Sequence, residues 1–79
     1  MEVQGELIYI AKRLSDAQHL EGILQLAGMD YTVEPDTYQA GVIFRSERIG
    51  AFFYVAPEDR DRASAVLAEH GFRAMTPEP

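Results

Sequence analysis

Few side chains in this chain are suited to chemistry, and their spacing restricts them further. Histidine occurs twice, at His19 and His70, and cysteine is absent. A zinc site needs several imidazole, thiolate or carboxylate ligands at short spacings, and neither histidine has a second histidine or cysteine at such a spacing. His19 reads as a solvent-facing residue in the first turns of a helix. His70 reads as a last-turn residue, where a cation suits the helix dipole. The serines offer no nucleophile in a recognisable setting. Ser15, Ser46 and Ser64 fall at a helix cap, a turn and a helix interior, without a G-x-S-x-G or a glycine-rich phosphate loop around them. Glu58, Asp59 and Asp61 follow Pro57, where acids favour the positive end of a helix, and "EDRDR" alternates in sign like a solvated helix face. These residue types predict no catalytic group, no metal and no cofactor, hence a protein that is not an enzyme.

The basic residues carry a chemical reading, and it depends on the elements that position them. "ELIYIA" (6–11) is a β-branched and aromatic run that predicts a strand, with Lys12 and Arg13 in the loop after it. Ser15 as N-cap and Gln18 three residues later suggest a capping box that opens a helix. Leu20, Ile23, Leu24 and Ala27 share one face of that helix, and Gly28 suits a left-handed stop. Residues 29–33 predict a second strand ended by Glu34 and Pro35, and "DTYQAG" predicts a loop. "VIFR" and "RIGAFFYVA" then flank Ser46 and Glu47 as a hairpin containing an extra short strand, with Gly50 at a bulge. Pro57 suits the first turn of a second helix. Ala63, Val66, Leu67 and His70 share one of its faces, and Gly71 closes it. Residues 72–75 predict a last strand, and "TPEP" a frayed tail.

The resulting order, β-α-β-β-α-β, predicts an α+β, ferredoxin-like split β-α-β fold with an antiparallel sheet and both helices on one face. Residues 1–76 make one domain and 77–79 a flexible tail. In that arrangement the loop after the first strand and the central hairpin lie at the same end. Lys12, Arg13, Arg45 and Arg48 then gather with Tyr38 near the start of the first helix, as candidate ligands for an anion.

Composition bounds the partners. Thirteen acidic residues against seven basic ones give a net charge of −6, which opposes binding to phosphate backbones or anionic membranes. No apolar run approaches the length of a membrane span, and no basic-then-apolar leader opens the chain, so a cytoplasmic protein is expected. Apolar residues make up 47% of the sequence, which suits a folded domain. A chain of 79 residues nonetheless builds a small core, and self-association is the aid left to it. Strict alternation puts Leu7 and Tyr9 on one face of the first strand, with Ile8 and Ile10 on the other. It likewise opposes Phe53 and Val55 to Phe52 and Tyr54. Both sheet faces are then apolar, and Ile8, Ile10, Phe52 and Tyr54 become the expected contact surface of a homodimer.

"LEGILQLAGMDYTV" (20–33) and "FYVAPEDRDRASAVLAEHGF" (53–72) together resemble the DUF2007 family of small bacterial proteins. These are described as signal-transducing and grouped with the PII-like, ferredoxin-like fold. Residues 36–50 are longer here than the family's loop. The resemblance implies a bacterial regulatory or interaction domain that acts through protein contacts or a small anionic ligand. It supplies no catalytic residue. Two other classes fit the sequence less well: a small dimeric enzyme with an unrecognised cleft, and an acidic inhibitor that occupies a partner's basic site.

Overall fold

The structure, a computed structural model, describes residues 5–40 and 46–74. Its elements run β1 (Glu6–Ala11), α1 (Leu14–Leu26), β2 (Thr32–Ala40), β3 (Ser46–Val55), a 3-10 turn (Pro57–Asp59) and α2 (Arg60–Glu69). The three strands form one antiparallel sheet in the order β1-β3-β2. The fold is therefore α+β, a three-stranded antiparallel sheet with two helices.

The core lies between the helices and one face of the sheet. Ile8, Ala11, Phe53 and Val55 of the strands meet Ala17, Leu20, Ile23 and Leu24 of α1 and Ala63 and Leu67 of α2, all buried. The expected apolar faces of both helices thus hold, and His70 is exposed at the C-cap position of α2. Two matching caps end the helices. Gly28 and Gly71 adopt φ of 71° and 86°, a backbone region that suits glycine. The amides of Met29 and Phe72 then donate to the Leu24 and Leu67 carbonyls, each at 3.0 Å, which is the Schellman pattern. The Arg62 Nη2 donates to the Ala27 carbonyl at 2.9 Å, so α2 helps to satisfy the end of α1. Tyr31 stacks on Phe53 with centroids 6.1 Å apart and accepts a bond from Gln25 Nε2 at 2.8 Å, which fastens α1 to the sheet.

Several expectations change. Helix α1 begins at Leu14 with Arg13 at the N-cap position in extended conformation, so Ser15 lies inside the first turn and caps nothing. Strand β2 begins at Thr32, three residues later than expected, and runs through Pro35 and "DTYQ" to Ala40. It is an edge strand, so the missing N–H of proline costs no ladder bond there. The β2–β3 register continues past Gly50, opposite Asp36, without a bulge. Gly50 instead serves close approach: a Cβ there would stand 3.1 Å from both Ile10 Cγ2 and Tyr38 Cε1. Residues 72–74 form no strand; the Phe72 ring turns edge-on against Tyr9 and His19, at 5.5 and 5.3 Å. The expected strand "VIFR" and the expected tail lie outside the described residues.

The bulge is in β1. Leu7 pairs with Tyr54 and Tyr9 with Phe53, so Ile8 is an extra residue without a partner in β3. This insertion reverses the alternation from that point. Ile8, expected on the contact surface, is fully buried under the helices. Tyr9 packs against the same core, while Leu7 and Ile10 share the opposite face. The freed Leu7 carbonyl accepts a 3.0 Å bond from Arg60 Nη1, which also contacts Glu6 at 3.4 Å.

Candidate functional site

The end of β1 and the β2–β3 hairpin do lie together. Ala11 pairs with Ala51, and Tyr38 with Arg48, so Lys12 emerges beside Gly50 within reach of β2. Because Gly50 has no side chain, the Tyr38 ring reaches over the central strand, its Cε1 3.1 Å from where a Cβ would stand, and the Lys12 ammonium lies 5.4 Å from the ring centroid. That distance is within cation–π range.

Two open cavities meet at Lys12. One, of about 500 Å³, is lined by Tyr9, Ile10, Lys12, Arg13 and Asp16. Tyr9 and Ile10 face opposite sides of the sheet, so this cavity wraps the outer edge of β1. The other, of about 450 Å³, is lined by Lys12, Tyr38, Glu47, Arg48 and Ile49. Lys12, Arg13 and Arg48 are all exposed. Arg45 lies outside the described residues. Three of the four basic residues singled out from the sequence therefore line these two cavities, and Tyr38 joins them as expected. Asp16 and Glu47 were not anticipated. Each puts one carboxylate into a cavity with two cations, so each cavity is mildly basic in an otherwise acidic protein. Ile49, 73% exposed, adds an apolar wall.

Helix α1 starts beside the first cavity. Its first internal bond runs from the Ala17 amide to the Arg13 carbonyl at 3.0 Å, and no side chain caps it. The amides of residues 14–16 precede that bond and lack intrahelical partners. The arrangement suits a small carboxylate or phosphate: exposed cations on two sides, an aromatic ring, and helix-start amides nearby.

The histidines lie elsewhere. His19 is exposed on α1 against the Phe72 ring, and the His70 Nδ1 lies 3.1 Å from the Val66 carbonyl at the end of α2. Among the described residues, no three His, Asp or Glu side chains are grouped as a metal would need. No described helix is long and apolar enough to cross a membrane. Compared with known proteins, the chain matches no family model, no curated protein and no solved structure.

Proposed function

We propose that this protein is a small regulatory or interaction domain that senses a small organic anion at the Lys12 end of its sheet. The observation that carries this reading is the position of Lys12 as a wall of both cavities, with Arg13 on one side and Arg48 on the other. A carboxylate or phosphate placed there meets cations from the β1–α1 loop and from β3, two parts of the chain that are distant in sequence. Occupancy would then tie the start of α1 to the hairpin, which is how a ligand changes what a small domain presents to a partner. The sequence resemblance of residues 20–33 and 53–72 to DUF2007 proteins implies the same class, although no family model matches the chain.

The test is a thermal-shift screen against nucleotides, amino acids and small organic anions, run on the wild type and on the R13A and R48A variants. A ligand at ~100 times its dissociation constant adds about 2.7 kcal/mol, which moves the midpoint of a domain this size by roughly 10 °C or more. A shift in the wild type that both variants lose supports the reading. No shift with any anion, or a shift that both variants retain, overturns it.

A further inference from the structure

The outer face of the sheet, opposite the helices, carries an ordered charge pattern. Across the sheet from β1 through β3 to β2, its rows are Leu7–Tyr54–Thr32 and Ile10–Phe52–Glu34; Gly50 and Asp36 pair in the next row, and Lys12 follows Ala11 just past the end of β1. Leu7, Ile10, Phe52 and Tyr54 are half-buried by their strand neighbours, and none belongs to the core cluster. The face is thus an apolar centre with a cation at the end of the β1 column and two carboxylates along the β2 column.

We propose that this face binds a second copy of the same chain, with β1 of each copy lying over β2 of the other. Two sheets packed face to face are related by a two-fold axis in the plane between them. If that axis crosses the strands, β2 lies over β2, and the column carrying Glu34 and Asp36 runs antiparallel over the same acidic column of the partner. If it runs along β3, β1 lies over β2. Lys12 then stands over Asp36 of the partner, twice by symmetry, and Phe52 and Tyr54 meet their counterparts at the centre. Like charges held opposite are costly and opposite charges fix register, so the pattern selects the second arrangement. Arg48 lies beyond Gly50 at the end of the face, where the roughly 30° crossing of packed sheets carries the two copies apart. The Asp36 carboxylate already accepts the Thr37 amide at 2.7 Å, which fixes it on β2 and leaves its second oxygen for Lys12. This inference is independent of the anion reading, although Lys12 takes part in both.

Sedimentation in a buffer without organic anions, stepped through the micromolar range, tests it. The wild type should dimerise, more weakly as salt rises. K12E and D36K should each raise the dimer dissociation constant about tenfold, because each turns two attractive pairs into repulsive ones. The double variant K12E/D36K restores opposite charges and should return the constant to near the wild-type value. F52D should be monomeric, with circular dichroism checking that it folds. Since F52D keeps Lys12, Arg13 and Arg48, any anion-induced thermal shift should survive in it, which separates failure of this inference from failure of the anion site. A wild type that stays monomeric overturns the proposal. So does a dimer whose constant ignores both charge reversals, or whose loss in the single variants the double variant fails to repair.

Discussion

Lys12 and Tyr38 meet across Gly50, with the ammonium 5.4 Å from the ring centroid. They come from opposite edges of the sheet, and only the missing side chain on the central strand lets them touch. Gly50 is accordingly buried although it lies on the outer face. An aromatic ring laid over a strand glycine recovers packing that the glycine forfeits.

Gly50→Ala should therefore destabilise the protein, although alanine is ordinarily the better strand residue. The new methyl would sit 3.1 Å from Ile10 and Tyr38 atoms and 3.2 Å from the Ala11 carbonyl oxygen, which is backbone. The side chains yield more readily than the carbonyl does. The net cost should be about 1 kcal/mol, at the low end for overpacking, and urea unfolding measures it. A variant as stable as the wild type would mean that Tyr38 does not pack there.

The bulge in β1 makes a sharp distinction between neighbouring isoleucines. Ile8→Ala empties a fully buried site and should cost about 3 kcal/mol, a large part of the stability of so small a domain. Ile10→Ala, on the outer face, should cost about 1 kcal/mol or less in the monomer. Ile8→Val, at about 1 kcal/mol, keeps the comparison measurable if Ile8→Ala does not fold. Equal costs at positions 8 and 10 would contradict the insertion at Ile8.

Those two residues also mark how far sequence reasoning reached. Helix faces and glycine stops were legible because each rests on a local rule: a 3.6-residue period for Leu20, Ile23 and Leu24, and left-handed backbone for Gly28 and Gly71. Strand faces rest on a period of two, and one inserted residue reverses everything after it. No residue type in "ELIYIA" announces that insertion. Pro35 misled in the other direction. From sequence it reads as a strand terminator, because the sequence does not say which strand lies at an edge, and only an edge tolerates it. The meeting of Lys12, Arg13, Arg48 and Tyr38 was legible because it follows from strand order, which survives such errors of register. The cavity carboxylates were not, since Asp16 has a sufficient reason to sit in a helix's first turn.

The two helix stops should respond alike to substitution. A Cβ at Gly28 or Gly71 would meet nothing within 4 Å, so any penalty comes from the positive φ alone. Gly28→Ala and Gly71→Ala should each cost about 1 kcal/mol, and the asparagine variants less, because asparagine tolerates the left-handed region better. Thermal unfolding of the four variants tests this. An asparagine variant no better than alanine would point to a lost contact and away from backbone strain.

Among the described residues β2 is an edge strand, and Pro35 and Asp36 together blunt its outer side. Proline presents no N–H, and the Asp36 carboxylate occupies the Thr37 amide at 2.7 Å. Positions 35 and 37 have the same parity, so both groups point toward the same side of the strand, away from β3. An edge without such devices templates further strands. Pro35→Val should therefore leave the unfolding midpoint nearly unchanged and increase aggregation on prolonged incubation, read by light scattering and by binding of an amyloid dye. Valine adds an outward donor and a β-branched side chain, both of which favour edge pairing. If Pro35→Val stays as soluble as the wild type, proline is not what protects that edge, and the Asp36–Thr37 bond alone would suffice.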